Sequence, residues 1–281
     1  MTAAAFEYFR RLVVERAGIV LDPGKEYLIE SRLGPVARSQ GFGSLDDLAS
    51  CLAGSGQGLL HRQVVEAIAT NETAWFRDAH PFEAIKNAVL PGLIEARAAE
   101  RRLDIWSAAA STGQEAYTLA LTIREFFPTL REWTISILGT DLATDVLDRA
   151  RIGRYSQLEI TRGLPAPLLL KYFRRDGPDW VIRDEIRTMV EFRELNLAER
   201  WPVLPPMDLV LMRNVLIYFD IELKKASLRR VRQVLRPDGY LLLGGAETML
   251  ALDDTFEREP VERAVFYRLN GAGTGRERVG V

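Results

Sequence analysis

The stretch LDIWSAAASTGQE, residues 103–115, decides the fold class of this chain. Its first four residues are mostly apolar and predict a short β-strand. Small residues with one glycine, Gly113, then predict a turn, and the pattern from Glu115 to Phe126 predicts a helix. A strand that leads through a tight turn into a helix is typical of the parallel sheet of an α/β protein.

Further strands and helices alternate along the rest of the chain. Apolar runs predict strands at residues 133–138, 190–192, 207–212 and 240–243, and helical patterns cover residues 145–150 and 223–235. The second of these helices is closed by the turn residues Arg236-Pro237-Asp238-Gly239. The alternation predicts a mostly parallel sheet with helices on both faces, and ligands of such sheets bind at the carboxyl ends of the strands.

The segments on either side of this sheet predict a different organisation. Residues 1–70 show only helical spacing, with a capped helix start at Ser44, and predict an all-helical N-terminal domain before a sheet domain at 71–270. Glycines and prolines interrupt the alternation at about 156–189, which predicts a small inserted β-subdomain with a hairpin around Asp176-Gly177-Pro178. The polar, glycine-rich residues 271–281 predict a disordered tail.

Composition excludes several classes of protein. Of the 281 residues 47% are hydrophobic and 27% charged, and the formal net charge of −2 gives no basic excess for binding nucleic acid. The single cysteine, Cys51, rules out an internal disulfide, and the isolated His61 and His80 do not predict a metal site. No apolar run reaches the roughly 20 residues of a membrane helix. We therefore expect a cytoplasmic protein without membrane insertion, and nothing demands more than a monomer.

Acidic residues stand at two places where a ligand could bind the predicted sheet. Asp141 ends the second strand, where a carboxylate can accept both ribose hydroxyls of an adenosyl ligand, although an ordinary helix cap would also place it there. Glu115 suits a positive ligand group such as the ammonium of an amino acid, or else the helix dipole. The first turn lacks the glycines of a dinucleotide motif, which disfavours a nicotinamide-dependent oxidoreductase.

Three more segments could contribute to the same pocket. Asn196 and Leu197 follow the third strand and fit an adenine edge and face, although asparagine is also a common turn residue. The segment RNVLIYFD, residues 213–220, follows the fourth strand, and Tyr218 within it could equally be a core residue. The segment TNETAWFRD, residues 70–78, is either a lid over the pocket or a capped linker between the two domains. We expect its two aromatics to lie in the domain interface, as in a linker, but Arg77 to contribute to the pocket.

These segments, in this order, resemble the glutamate methyltransferases of chemotaxis receptors, the CheR family. The family patterns T-N-x-T-x-F-F-R, A-A-A-S-T-G-x-E-x-Y and R-N-V-x-I-Y-F-D are matched at residues 70–77, 108–117 and 213–220. A T-D strand end and an A-R-x-G-x-Y segment are matched at 140–141 and 150–155. The chain departs from the family at Gly244-Gly245-Ala246-Glu247, where a Gly-His-Ser-Glu sequence is common.

The resemblance implies a Rossmann-like S-adenosylmethionine-dependent methyltransferase fold and a set of site residues. It places Asn71, Thr73 and Arg77 on the methionine side of the cofactor, Asp141 at the ribose, and Asn196 with Leu197 at the adenine. It also implies cofactor contacts from Glu115, Arg213 and Asn214. Arg77 and Tyr218 would lie nearest the transferred methyl and act in catalysis, and S-adenosylhomocysteine would be the product.

The implied substrate is a glutamate side chain in the cytoplasmic helical bundle of a methyl-accepting chemotaxis receptor. A glutamate is already ionised at neutral pH, so the lack of a general base is no obstacle. Lys25, Arg32 and Arg38 could contact the receptor, and the short loop at 174–179 predicts no dependence on a C-terminal receptor pentapeptide. The alternative is a non-catalytic signalling module that binds S-adenosylmethionine or S-adenosylhomocysteine.

Overall fold

The computed structural model describes residues 1–56 and 58–271, and its N-terminal part is a four-helix cluster. The helices are α1 (Ala3–Ala17), α2 (Glu26–Ser39), α3 (Leu45–Gly54) and α4 (Leu59–Ile68). Each contributes an apolar stripe to one core, in which Phe9, Leu33 and Val64 are fully buried. The Ser44 side chain accepts a hydrogen bond from the Asp47 amide and caps α3, as predicted. The prediction of an all-helical N-terminal region is confirmed.

The second part of the chain alternates strands and helices. One helical segment comprises α5 (His80–Ala84), a π-helical stretch (Ile85–Val89) and α6 (Leu90–Ala96). The next elements are β1 (Arg102–Ala108), α7 (Gln114–Phe126), β2 (Thr134–Asp141), α8 (Thr144–Ile152), β3 (Arg154–Tyr155), α9 (Gln157–Thr161), α10 (Ala166–Tyr172), β4 (Phe173–Asp176), β5 (Asp179–Ile182) and α11 (Asp184–Arg187). The last are β6 (Val190–Glu194), β7 (Met207–Met212), α12 (Ile221–Val234), β8 (Leu235–Leu243), β9 (Phe256–Val261) and β10 (Ala264–Leu269).

Seven of these strands form one sheet in the order β6-β2-β1-β7-β8-β10-β9. The first five are parallel, whereas β10 runs antiparallel to both of its neighbours. Apart from Arg102, every residue of the central strand β1 is buried, because helices cover both faces of the sheet. The chain leaves β1 in one direction toward β2 and returns on its other side at β7, so the switch point lies between β1 and β7. The predicted α/β fold class is confirmed.

The region after α12 differs from the sequence-based expectation. The helix ends at Val234 and the strand begins at Leu235, five residues before the predicted start. The predicted turn residues 236–239 are instead accommodated in β8 by a shift of register, since Met207 pairs with Leu235 but Leu209 pairs with Tyr240. The β9–β10 hairpin was not predicted, because the sequence FEREPV of β9 carries charges and a proline. Such residues are tolerated at the edge of a sheet, where β9 lies.

The predicted inserted β-subdomain is a small three-stranded sheet in the order β3-β5-β4. Asp176 pairs with Asp179 across a two-residue turn in which Gly177 has φ +62°, so the predicted hairpin is confirmed. The buried Trp75 packs edge-on against Tyr155 at 4.9 Å and Phe173 at 5.4 Å between ring centroids, which anchors the segment after α4 to this sheet.

Two further expectations concern the chain as a whole. Apart from Gly271, the residues of the predicted disordered tail lie outside the described part of the chain. Among the residues that the structure describes, no helix is long and apolar enough to cross a lipid bilayer.

Candidate active site

One cleft lies at the carboxyl ends of β1, β2, β6 and β7, beneath the N-terminal helices. Its wall includes every residue that the sequence placed in the site: Asn71, Thr73, Arg77, Glu115, Asp141, Asn196, Leu197, Arg213, Asn214 and Tyr218. Parallel strands all end at the same edge of the sheet, so residues that follow them meet there although they are far apart in sequence. The structure therefore brings the predicted site residues together, while their individual roles stay predictions.

The helical N-terminal part closes one side of this cleft, and hydrogen bonds to backbone carbonyls hold it there. The Asn196 side-chain amide donates to the carbonyl of Arg16 at 2.6 Å, at the end of α1. The amide of Val20 donates to the carbonyl of Tyr218 at 2.8 Å. The Ser111 hydroxyl donates to the carbonyl of Asn71 at 2.7 Å. Each contact joins the helical part or the segment after it to a loop of the sheet.

The turn after β1 brings its backbone close to the cleft. Ala109 and Ser111 adopt positive φ values of 59° and 50°, and Gly113 follows at 93°. A Cβ atom on Gly113 would lie 3.0 Å from carbon atoms of both Ala150 and Phe192, so only glycine fits at the start of α7. Small side chains in this turn leave room for a ligand beside the free amides of the helix N-terminus.

Asp141 ends β2 with a carboxylate that is held in place by the backbone. One oxygen accepts from the Ser111 amide at 2.8 Å and the other from the Ala143 amide at 3.0 Å. Burial raises the pKa of Asp141 above its ordinary value, and these backbone hydrogen bonds lower it in part. Each carboxylate oxygen keeps a lone pair for a further donor, so the group can still accept from two ligand hydroxyls.

Arg213 forms the centre of a buried ion-pair network. Its guanidinium contacts Glu115 at 2.9 Å and Asp78 at 2.7 Å, and its side chain is only 1% exposed. The second Glu115 oxygen accepts from the Ser107 hydroxyl at 2.8 Å. Glu115 is therefore the counterion of Arg213 as well as a candidate partner for a ligand ammonium.

The cleft fits the parts of S-adenosylmethionine. Within the described residues the Arg213 Nε atom is buried without a hydrogen-bond partner, which leaves one donor of the cleft wall unsatisfied. Leu142, Leu195 and Leu197 give the cleft an apolar wall of the kind that a purine face needs. Asn196 is less free than predicted, since its side-chain oxygen accepts from the Ala198 amide at 3.0 Å while its nitrogen holds Arg16.

Arg77 and Tyr218 both line the cleft, although they are far apart in the sequence. Arg77 is half-buried and donates to the carbonyl of Glu72 at 3.2 Å, and no carboxylate of the described residues pairs with it. Tyr218 ends a short 3-10 helix (Leu216–Tyr218), and no hydrogen-bond partner of its hydroxyl occurs in the described ranges. A cation and a phenol without strong internal partners are suited to contact a substrate.

Glu247 is a further site residue that sequence reasoning did not assign. One of its oxygens accepts from the amides of Asn214 at 2.8 Å and Gly244 at 2.7 Å. The other accepts from the amides of Val215 at 2.9 Å and Ile217 at 3.2 Å. One carboxylate thereby holds the whole turn after β7, including Asn214, whose φ is +58°. The sequence signal was its place after the fifth predicted strand, where it matches the glutamate of the family's Gly-His-Ser-Glu sequence although residues 245 and 246 depart from it.

Metal binding finds no support in the described part of the chain, where no group of three or more His, Cys, Asp or Glu side chains could hold an ion.

Comparison with known proteins identifies two family models along the chain. Residues 4–68 match the CheR methyltransferase all-alpha domain, and residues 71–265 match the CheR methyltransferase SAM-binding domain. Chemotaxis protein methyltransferase 1 of Pseudomonas aeruginosa is 42% identical over 269 residues, which cover 94% of this chain and 97% of that protein. Chemotaxis protein methyltransferase Cher2 of Pseudomonas putida is 39% identical, with coverage of 94% and 97%.

A more distant relative gives the same assignment. The chemotaxis protein methyltransferase of Escherichia coli is 33% identical over 261 residues, which cover 91% of this chain and 88% of that protein. Neither the family models nor these relatives support the non-catalytic alternative. The chain belongs to the CheR methyltransferase family, and the prediction of an S-adenosylmethionine-dependent methyltransferase is confirmed.

Proposed function

We propose that this chain transfers the methyl group of S-adenosylmethionine to glutamate side chains of a chemotaxis receptor, giving glutamyl methyl esters. The observation that carries the proposal is the cleft itself, where Arg77 and Tyr218 lie beside the residues suited to hold the cofactor. The relatives named as chemotaxis protein methyltransferases support the class of substrate.

The residues of the cleft are suited by their chemistry to bind different parts of the cofactor. Asp141 is suited to accept the ribose hydroxyls, and Leu197 to contact the adenine. Arg213 and Glu115 offer one charge of each sign to the amino-acid end of the cofactor, which carries a carboxylate and an ammonium. When bound, S-adenosylmethionine supplies a methyl group made electrophilic by its sulfonium.

Transfer then requires positioning more than proton chemistry. A glutamate carboxylate has an ordinary pKa of about 4.3 and is ready to act as a nucleophile at neutral pH. The chain must hold one carboxylate oxygen in line with the methyl group, and such alignment can supply a large part of a rate enhancement. Arg77 is placed to orient the acceptor carboxylate. A very strong ion pair with Arg77 would make the acceptor carboxylate a weaker nucleophile. We therefore assign to Arg77 the orientation of this carboxylate, and Tyr218 would help to orient the same group.

Transfer of a tritiated methyl group from the cofactor to receptor glutamates tests the proposal. Arg77→Ala should reduce the transfer rate by about 100-fold or more, because an unaligned carboxylate loses the benefit of proximity. S-adenosylhomocysteine binding should remain measurable by calorimetry. Arg131→Ala is the matched control, since Arg131 is exposed and lies outside the cleft. Normal transfer by Arg77→Ala would exclude the assigned role, and base-stable label would exclude an ester product.

We also propose that the receptor is contacted by a monomer in the cytoplasm, and without a C-terminal pentapeptide tether. The loop between β4 and β5 is only two residues long, which leaves little surface for gripping a peptide. Tight calorimetric binding of such a peptide would contradict the absence of a tether.

A further inference from the structure

A second groove lies beside the cofactor cleft. It runs between α12, residues 244–255 and the β9–β10 hairpin, and has a volume of about 1210 Å³. Arg213 lines both the groove and the cleft, so the two are adjacent. Apart from Arg213, no residue assigned to the cofactor lines this groove.

The walls of the groove carry exposed cations. Lys225, Arg229 and Arg232 lie at i, i+4 and i+7 on α12, which places them along one face of the helix. Arg258 and Arg263 belong to the hairpin on the other wall. The four arginines are exposed and have no ion pair or hydrogen bond within the described residues, while Lys225 lies 3.7 Å from Glu222.

Four carboxylates of the described residues also line the groove: Asp78, Glu247, Asp253 and the exposed Asp254. Asp78 pairs with Arg213, and Glu247 accepts backbone amides. Asp253 accepts from the amide and the hydroxyl of Thr255. With Arg213 the groove is lined by six cations against these four carboxylates, a formal excess of two positive charges on a chain whose formal net charge is −2. A local field of this sign attracts an acidic partner.

The helix α2, which the sequence suggested as a basic contact surface, has fewer free cations. Arg32 donates to the carbonyl of Ala69 at 3.0 Å and to the hydroxyl of Thr70 at 3.1 Å, so it closes the end of α4. Lys25 pairs with Asp22 at 3.0 Å. Of the three suggested residues, only Arg38 is exposed and unpaired among the described residues.

We propose that the groove binds the acidic methyl-acceptor segment of the substrate protein. The inference rests on the proposed function, because a segment that presents several glutamates for methylation is itself an acidic surface. The helix α12 begins three residues after Tyr218. Its cations follow one another along the helix away from Tyr218, and the distance from Lys225 to Arg232 along the axis is about 10 Å. A segment lying along α12 would bring one glutamate to the methyl-transfer position while its neighbours contact the arginines.

The test uses Arg229→Glu/Arg232→Glu and a cytoplasmic receptor fragment that the unsubstituted enzyme methylates with tritiated S-adenosylmethionine. Loss of two attractive contacts and their replacement by repulsion should raise the KM for the fragment about tenfold or more. The rise should appear in KM rather than kcat. In the unsubstituted enzyme KM should also rise more steeply with salt than in the variant.

Three further measurements make the test specific. Arg131→Glu/Arg183→Glu, an equal charge change at exposed positions outside the groove, should leave KM within about twofold. Calorimetry with S-adenosylhomocysteine confirms that each variant is folded, and Arg229→Gln/Arg232→Gln replaces the double reversal if that variant does not fold. Arg38→Glu should change KM less than the groove variant.

Two outcomes separate the inference from the proposed function. An unchanged KM in the groove variant, or a larger effect of Arg38→Glu, would overturn the docking surface alone. Failure of the unsubstituted enzyme to methylate any receptor fragment would instead contradict the proposed function.

Discussion

Replacement of Glu247 by glutamine should weaken cofactor binding although Glu247 itself need not touch the cofactor. The amide group keeps one oxygen and replaces the other by an NH2 group, which cannot accept a hydrogen bond. Two of the four backbone amides now bound by Glu247 would lose their acceptor, whichever way the new side chain turns. These amides belong to the turn that follows β7 and to Gly244, the residue after β8.

The expected loss of cofactor affinity follows from the hydrogen bonds that the substitution of Glu247 removes. Leaving a donor unsatisfied costs about 1–3 kcal/mol when it is buried, and less where water can reach it. Glu247 is half-buried, so we expect about 2 kcal/mol for the two amides together. The positive φ of Asn214 adds strain that the carboxylate no longer offsets. If this free energy favours an alternative turn, the binding-competent turn becomes rarer, and 2 kcal/mol corresponds to about 30-fold weaker binding.

Calorimetric titration with S-adenosylhomocysteine measures this loss directly. Glu257→Gln makes the same chemical change at an exposed position of β9 and should bind as the unsubstituted enzyme does. Glu247→Asp should also bind S-adenosylhomocysteine weakly, because the shorter side chain cannot reach both groups of amides. If Glu247→Gln binds S-adenosylhomocysteine with unchanged affinity, the carboxylate is not what holds the turn, and the reasoning fails.

Two other buried charges lead to predictions. Burial raises the pKa of Asp141. As the pH falls, binding of S-adenosylhomocysteine should therefore weaken at a higher pH than it would with an aspartate of ordinary pKa. Asp141→Asn should remove this pH dependence, which calorimetry can measure. For stability the sign is opposite, since the contribution of a group with a raised pKa is greatest at low pH and is lost as pH rises through that pKa. Arg97→Met would leave the fully buried Asp208 with Arg236, at 3.4 Å, as its cationic partner and the Asp104 amide as a hydrogen-bond donor. The change should lower the free energy of unfolding by about 3 kcal/mol in denaturant titrations. The same change at Arg10, whose side chain is 38% exposed and pairs only with Glu7 among the described residues, should have little effect.

The meeting of distant residues in the cleft could be predicted because it depends on topology alone. Asp141, Asn196 and Arg213 each stand at the end of a parallel strand or within two residues after it, and parallel strands end at one edge. The pattern of apolar residues that predicts the strands therefore also predicts the site. The β9–β10 hairpin escaped the same reasoning because an edge strand with a proline and several charges has the composition of a loop.

Which atoms remain free in the cleft could not be predicted, because this depends on contacts between side chains and distant backbone. Three of the four amides held by Glu247 lie about 30 residues before it, and the carbonyls held by Arg32 lie about 37 residues after it. No spacing rule links a carboxylate or a guanidinium to backbone groups that only the fold brings near. The two arginines of the site differ in the same respect. Arg213 is bound by two carboxylates and is suited to build the cleft, whereas Arg77 lacks such a partner and is suited to a substrate carboxylate.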